Sequence, residues 1–148
     1  MIIEYQRLDE YVKIPTRSNP SDAGLDVYAH LEDDIRIEPG KSVIIPTGLK
    51  FGVPHGYMLQ VMNRSSVAAN RSLVVGAHVI DSGYDGQVFI NLHNIGEHRQ
   101  TVRYGDKIAQ IVMVPVVTFR PQLVETPLYR EPITISDRGD GALGSTDG

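Results

Sequence analysis

Residues 76–94 read Gly-Ala-His-Val-Ile-Asp-Ser-Gly-Tyr-Asp-Gly-Gln-Val-Phe-Ile-Asn-Leu-His-Asn, and this stretch is the most informative about the fold. An apolar run at 73–75 precedes it, and the aliphatic residues Val88, Ile90 and Leu92 occupy alternate positions at its end, which predicts two β-strands joined by a wide turn. Asp81 ends the first apolar run, and Tyr84 follows within the same glycine-bounded turn. A carboxylate can activate a water molecule, and an aromatic ring offers a flat wall for a sugar or a base. Taken alone, however, the segment favours an ordinary hairpin, because Asp, Ser and Gly are typical turn residues.

Short β-type runs and turn signals recur along the rest of the chain. The runs fall at residues 25–29, 35–37, 42–45, 49–53, 57–62, 73–80, 88–92, 108–117 and 119–124. Between them lie Pro-Gly, Pro-Thr-Gly, Pro-His-Gly and Tyr-Gly-Asp segments, which typically form turns. Because no apolar stripe keeps helical spacing for three turns, we predict an all-β domain of the barrel or jelly-roll type with at most one short helix, at residues 66–70.

The length of 148 residues suits one domain with its own hydrophobic core. We therefore expect a single domain over residues 1–148, in which residues 1–137 form a β-barrel core and an extended arm. Residues 138–148 are rich in glycine and lack the apolar surface to fold by themselves, so we expect a flexible tail there.

The composition narrows the classes of function. The sequence has no cysteine, which excludes disulfides, thiolate catalysis and Cys-based zinc sites and fits a reducing compartment. The five histidines lack the paired ligand spacing of a helical metal site. No leader-like segment is evident, and the densest apolar run, at 111–117, is too short to span a bilayer, so we expect a cytoplasmic protein with no membrane partner. A net charge of −4 without a Lys/Arg cluster argues against binding to a nucleic-acid polymer, although a small phosphorylated ligand remains compatible.

Polar residues also interrupt or follow the other predicted strands. Arg-Ser-Ser at 64–66 follows the run at 57–62, so a serine there is expected to begin a helical turn whose N–H groups face an anion; a plain Ser N-cap has the same pattern. Asp26 lies inside an apolar strand, a costly position for a charge unless it is paired or functional. Gln110 interrupts another strand, and both a satisfied core hydrogen bond and a ligand contact explain it equally well.

The tail carries groups that suit a phosphate. Arg138 offers a bidentate fork, Ser145 and Thr146 offer hydroxyls, and the intervening glycines let backbone N–H groups converge on an anion. No lysine follows the final glycine of the motif and no helix is expected after it, so the segment is not a Walker A loop. A mobile phosphate clamp fits better, with a simply frayed terminus as the alternative.

Taken together and in this order, these segments resemble the trimeric dUTPase (deoxyuridine triphosphatase) family over residues 21–146. The resemblance implies a homotrimer of distorted jelly-roll β-barrels in which each active site draws residues from three chains. It implies that dUTP, the small-molecule partner, is hydrolysed to dUMP and pyrophosphate, which limits uracil incorporation into DNA and supplies dUMP for thymidylate synthesis. The implied cofactor is Mg²⁺, held mainly by the three phosphates and water and not by direct protein ligands.

The resemblance also implies roles for individual residues. Asp81 is similar to the general base that activates the water attacking the α-phosphorus, and Gln110 is similar to a second catalytic residue that contacts phosphate. Tyr84 is similar to the residue that stacks under deoxyribose and excludes a 2′-hydroxyl, while the backbone near Phe89 would read the uracil edge. Asp26 is similar to an aspartate that lies behind the substrate contacts or binds the waters of the metal. The implied substrate contacts are Arg64, Ser65, Ser66, Ala77, Tyr84, Phe89, Arg138, Leu143, Gly144, Ser145 and Thr146.

The chain departs from the family pattern at a few positions. Leu143 stands where the family usually carries an aromatic over uracil, and Ala142 stands where glycine is common. Because the aromatic contribution of about 0.5–1.5 kcal/mol is lost, we predict weaker closure of the tail. Asn63 replaces a common proline, and Ser66 replaces a common glycine while keeping the backbone N–H.

Two alternatives follow from the same residues. The Arg-Ser-Ser segment also occurs in dCTP deaminases of the same fold, but these use a glutamate where this chain has Asn91, and an amide cannot do that acid–base work. A nucleotide-responsive regulatory protein without catalysis is the second alternative. The presence of Asp81, Gln110 and the complete 138–146 segment argues against it.

Overall fold

The computed structural model describes residues 1–130 and 139–144, and the chain divides into two compact units, residues 1–118 and 119–148. Within the described residues the elements are β1 (Tyr5–Arg7), β2 (Leu25–Tyr28), β3 (Ile35–Ile37), β4 (Ser42–Pro46), β5 (Leu49–Phe51), β6 (Tyr57–Met62), α1 (Ser65–Arg71), β7 (Leu73–Val75), β8 (Val79–Ile80), β9 (Phe89–Asn94), β10 (Gln100–Val102) and β11 (Lys107–Pro115). In this part of the chain, no helix is both long and apolar enough to cross a membrane.

Among the described residues, all strand pairs are antiparallel and form four sheets, with the strand orders β1-β5, β10-β3, β2-β11-β6-β8 and β4-β9-β7. The prediction of an all-β protein with one short helix is therefore confirmed. The alternation along β9 buries Ile90 and Leu92 completely and leaves Phe89 48% exposed. Full burial of such aliphatic side chains contributes about 1.5–3 kcal/mol each, which fixes the strand's orientation and points Phe89 outwards.

The predicted strand at 73–80 is wrong in one respect, because it is two strands in two sheets. Strand β7 pairs with β9, whereas β8 pairs with β6. The break follows Gly76, whose N–H donates to the carbonyl of Asn91 at 2.9 Å. A Cβ at this position would clash with the side chains of Asn91 and His93 in their present positions, so glycine allows the chain to pass close to β9 before it crosses to β6. The predicted strand at 119–124 is also absent, and Phe119 and Leu123 there are exposed.

Helix α1 matches the predicted helix but begins differently from the prediction. Its N-cap is Arg64, in an extended conformation and without a side-chain capping bond, so the expectation of a serine cap is wrong. Arg71 in the last turn fastens the helix to the rest of unit 1–118, because its guanidinium donates to the carbonyl of Thr101 at 2.5 Å and to Oε1 of Gln100 at 3.2 Å. The first turn of α1, with Ser65 and Ser66 exposed, follows the end of β6 after two residues.

Candidate functional site

A cleft of about 330 Å³ lies where β8 ends and β9 begins. It is lined by Val79, Ile80, Asp81, Tyr84, Gln87, Val88 and Phe89. Asp81 is exposed at the end of β8, where the N–H of Tyr84 donates to its carbonyl at 3.2 Å. Gly83 has a φ of 81°, in the left-handed region, and its N–H donates to the carbonyl of Val53 at 3.2 Å, which closes the turn. The turn therefore presents a carboxylate and an aromatic ring to the same cleft.

Tyr84 is folded back across its own turn. Its hydroxyl donates to the carbonyl of Gln87 at 2.8 Å, and the ring lies against Gly86, where a Cβ would come within 2.6 Å of Cζ. The side chain is nevertheless 44% exposed, so one face of the ring remains available to a ligand. Phe89 provides a second aromatic wall in the cleft.

A second cluster surrounds Asp26 on β2. The carboxylate is only 15% exposed and accepts a hydrogen bond from Nε of Arg64 at 2.9 Å, while Nζ of Lys107 lies 3.6 Å from its other oxygen. The charge that looked costly within an apolar strand is therefore paired with two cations. Arg64 lies directly before α1, and the ion pair with Asp26 fixes the orientation of its guanidinium.

Gln110 belongs to the same cluster. On β11 it faces Asp26 of β2 on one side and Met62 of β6 on the other. Its Nε2 donates to the carbonyl of Asn63 at 2.9 Å, and a Cβ on Gly24 would lie 2.5 Å from its Oε1. The amide thus makes a structural hydrogen bond, and its oxygen lies where only glycine leaves room.

The cleft that contains Asp81 and the cluster around Asp26 lie at opposite ends of β6. Asp81 follows Ile80, which pairs with Leu59 near the start of that strand, whereas Gln110 pairs with Met62 at its end. Met58 is the next position of β6 beyond the Leu59–Ile80 pair, and the four residue steps from Met58 to Met62 span about 13 Å of extended strand. Within one chain, Asp81 therefore does not contact the Arg64 and Gln110 cluster.

The remaining predicted positions are distributed as follows. Ala77 is exposed and is not part of the cleft lining. The side-chain amide of Asn91 donates to the carbonyl of Val43 at 3.2 Å. Leu143 and Gly144 belong to the second unit, where Leu143 is fully exposed and Gly144 has a φ of 77°. Arg138, Ser145 and Thr146 lie outside the described residues.

Sequence reasoning did not identify Gln87 or Lys107. Gln87 lines the cleft, and Lys107 is the second cation beside Asp26. A polar residue after a turn glycine and a lysine at the start of a strand are both common on protein surfaces, so neither had a distinctive local signal.

The chain is similar to known proteins over most of its length. Residues 10–147 match the family model described as dUTPase. The deoxyuridine 5'-triphosphate nucleotidohydrolase of Desulfotalea psychrophila is 37% identical over 142 residues, covering 95% of this chain and 91% of that protein. The enzyme of the same name from Ectopseudomonas mendocina is 40% identical over 142 residues, covering 93% of this chain and 89% of that protein.

Solved structures show the same similarity. The dUTPase of Staphylococcus bacteriophage 80alpha, determined with dUPNHPP, has a TM-score of 0.81 at 26% identity and covers 98% of both chains. The dUTPase from phage phi11 of S. aureus has a TM-score of 0.79 at 25% identity, covering 86% of this chain and 99% of that one. A mutant of the phi11 enzyme revealed how a structural Mg(II) ion is coordinated.

Proposed function

The chain belongs to the dUTPase family and is a dUTP diphosphatase, and we propose that an Asp81-activated water attacks the α-phosphorus of dUTP in a site shared between subunits. The observation that supports this proposal is that Asp81 and Tyr84 line the same cleft, where the carboxylate would activate the water and the ring would serve as a platform for deoxyribose. The products are dUMP and pyrophosphate. We further infer that this reaction limits uracil incorporation into DNA and supplies dUMP for thymidylate synthesis.

Asp81 acts as the general base. The water oxygen forms a bond to the α-phosphorus, its proton passes to the Asp81 carboxylate, and the bond from the α-phosphorus to the pyrophosphate oxygen breaks. Exposure of Asp81 at the end of β8 leaves the carboxylate free to meet such a water. The protein forms no covalent bond to the substrate in this reaction. Positioning of the substrate and neutralisation of the phosphate charge therefore supply most of the remaining acceleration of hydrolysis.

Base and sugar selectivity arise in the cleft. The exposed face of the Tyr84 ring stacks under deoxyribose and leaves no room for a 2′-hydroxyl, and the backbone beside Phe89 reads the uracil edge. Ala77, exposed on the approach from β7 to β8, completes the proposed contacts on this side. Steric exclusion of this kind rejects UTP and dTTP without requiring an additional attractive contact to dUTP.

The cluster around Asp26 binds the phosphates. Arg64 supplies positive charge, Ser65 and Ser66 supply hydroxyl and backbone donors, and Gln110 is the second catalytic residue, next to the phosphates. Asp26 positions the Arg64 guanidinium for this role, because its carboxylate accepts a hydrogen bond from Nε of Arg64 at 2.9 Å.

The tail completes phosphate binding in this proposal. Arg138, Ser145 and Thr146 form the γ-phosphate clamp, and Gly144 allows the chain to turn closely around it. Leu143 covers the uracil in place of an aromatic residue. Residues 1–137 then serve as the barrel with its extended arm, and residues 138–148 as the clamping tail.

We propose that the chain acts as a homotrimer, and the distance between the cleft and the cluster around Asp26 supports a site shared between subunits. Asp81 and the Arg64 cluster lie at opposite ends of β6, so one chain does not offer the base and these phosphate contacts to the same triphosphate. A site that takes Asp81 and Tyr84 from one subunit and the Arg64 cluster from another removes this difficulty. The exposed apolar residues Val117 and Phe119 suit an arm that crosses to a neighbouring subunit.

The described residues fit a magnesium ion that is bound mainly through the substrate. They contain no group of three or more His, Cys, Asp or Glu side chains that could hold a metal, and the Asp26 oxygens contact Arg64 and Lys107. Mg²⁺ dehydrates reluctantly and is commonly held by phosphates and water, so Asp26 is expected to reach only its waters. When bound with the triphosphate, the ion neutralises phosphate charge.

Product analysis tests the proposed function. Purified protein is incubated with Mg²⁺ and separately with dUTP, dCTP, dTTP and UTP, and the products are separated by chromatography. Formation of dUMP and pyrophosphate from dUTP alone is expected. Deamination of dCTP, or the absence of any product, would contradict the proposal.

A further inference from the structure

A half-buried glutamine joins the turn that carries Tyr84 to a fixed point elsewhere in the unit. Oε1 of Gln87 accepts a hydrogen bond from the backbone N–H of Gly48 at 2.8 Å. Gly48 is itself constrained, because its φ of 71° lies in the left-handed region and a Cβ there would clash with Val12. Its carbonyl also accepts the N–H of Leu8 at 2.9 Å. The carboxamide of Gln87 is thus tied to a backbone that other contacts already hold.

The backbone of the same residue holds the aromatic ring. The carbonyl of Gln87 accepts the hydroxyl of Tyr84 at 2.8 Å, and Gly86 leaves the space in which the ring lies. A ring that is 44% exposed has few packing contacts to restrain it, so this hydrogen bond is a main determinant of its orientation. Any shift of the backbone at position 87 therefore moves the Tyr84 hydroxyl.

The next residue is anchored without help from the Gln87 side chain. The N–H of Val88 donates to the carbonyl of Leu49 at 2.8 Å, and its carbonyl accepts the Thr47 hydroxyl at 2.7 Å. Loss of the Gln87 carboxamide should therefore leave β9 in place and release mainly the turn. A variant at position 87 is consequently expected to fold.

We propose that Gln87 is a positioning residue for sugar selection, which through Gly48 holds the Tyr84 ring where a 2′-hydroxyl would collide with it. The inference rests on the proposed function, in which Tyr84 contacts deoxyribose. Gln87 does not touch the reacting atoms, and its effect should appear in the choice between dUTP and UTP.

The test compares the ratio of kcat/KM for dUTP to that for UTP in three variants. Gln87→Met keeps the length of the side chain and removes the acceptor, so the ratio should fall roughly five- to tenfold, the equivalent of one hydrogen bond. Gln87→Glu keeps an acceptor for Gly48 and should stay within about twofold of the wild type. Gln100→Met is the matched control, since the half-buried Gln100 also accepts one side-chain hydrogen bond, from Arg71, but lies on β10 away from the cleft. Its ratio should not change even where its Tm falls.

Amide hydrogen exchange gives a readout that does not depend on turnover. The Gly48 N–H should exchange faster in Gln87→Met than in the wild type or in Gln100→Met. An active Gln87→Met protein with an unchanged selectivity ratio would overturn the inference alone, and so would an equal fall in Gln100→Met. A wild-type protein that does not hydrolyse dUTP would instead overturn the proposed function on which it rests.

Discussion

Replacement of Asp81 by asparagine separates its chemical role from substrate binding. The amide keeps the size of the side chain but cannot accept the proton of the attacking water. A positioned general base contributes about 10²–10⁴-fold to the rate, which corresponds to roughly 2.7–5.4 kcal/mol of activation free energy. Because Asp81 is exposed, the free energy of unfolding should change by no more than about 0.5 kcal/mol.

Two measurements on the same preparation separate the effects. Pyrophosphate release under saturating dUTP and Mg²⁺ gives kcat, which should fall at least about 100-fold. Calorimetric titration with a non-hydrolysable dUTP analogue gives the Kd, which should stay within about threefold, because Tyr84 and the phosphate contacts are unchanged. A large loss of kcat with retained affinity is the signature of an interaction made only in the transition state.

Asp85→Asn is the matched control in the same turn. Asp85 is 92% exposed and pairs with Lys50 at 2.9 Å, an exposed ion pair that contributes about 0.2–1 kcal/mol at most. Its loss should leave kcat within about threefold of the wild type, because Asp85, unlike Asp81, does not line the cleft and an ion pair this exposed contributes little. Full turnover by Asp81→Asn, or an equal decrease in both variants, would refute the general-base assignment.

Three further predictions follow from other parts of the chain. Asp26→Asn should lower the free energy of unfolding by about 1–3 kcal/mol in urea denaturation, because two cations lose their partly buried carboxylate. The control, Asp33→Asn at an exposed position, should lower it by less than about 0.5 kcal/mol. Equal losses in the two variants would contradict this prediction. The hydrogen bond from His30 holds the pKa of Asp9 below its ordinary value of 3.8, so the pair stabilises the fold above about pH 4 and loses this effect as the pH falls through the lowered pKa. The Tm difference between the wild type and His30→Gln should therefore narrow in acid, and a difference independent of pH would exclude the mechanism. Truncation after Asp137 should lower turnover more than trimer assembly, as kinetics and light scattering would show, and normal turnover would exclude the clamp.

The sequence predicted most of the strands that rely on local alternation. The pattern at 88–92 identified β9, in which Ile90 and Leu92 are buried. The division of 73–80 into two strands was not predictable, since it depends on the contact between Gly76 and Asn91, fifteen positions later. Strands β1 and β10 are three residues long and are defined by backbone pairing to β5 and β3, so they left no pattern to recognise.

The candidate site was predictable to the same extent. Asp81 and Tyr84 are close in sequence, and their shared turn was recognised from glycine spacing alone. The cost of placing Asp26 in an apolar strand was also evident, but its partner Arg64 lies 38 positions away and no periodicity connects them. Gln87 was missed for the same reason, because its importance depends on Gly48, 39 positions earlier.

The separation along β6 between the cleft with Asp81 and the cluster with Arg64 has a genetic consequence. If the base and the phosphate contacts of one site come from different copies of the chain, a copy damaged at Asp81 and a copy damaged at Arg64 carry complementary defects. Mixed assemblies of the two would regain some intact sites, although neither chain is active by itself. Conversely, a copy damaged at both positions would disable two sites, one for each residue it contributes, so a cell that expresses it beside a normal copy would lose more activity than gene dosage predicts.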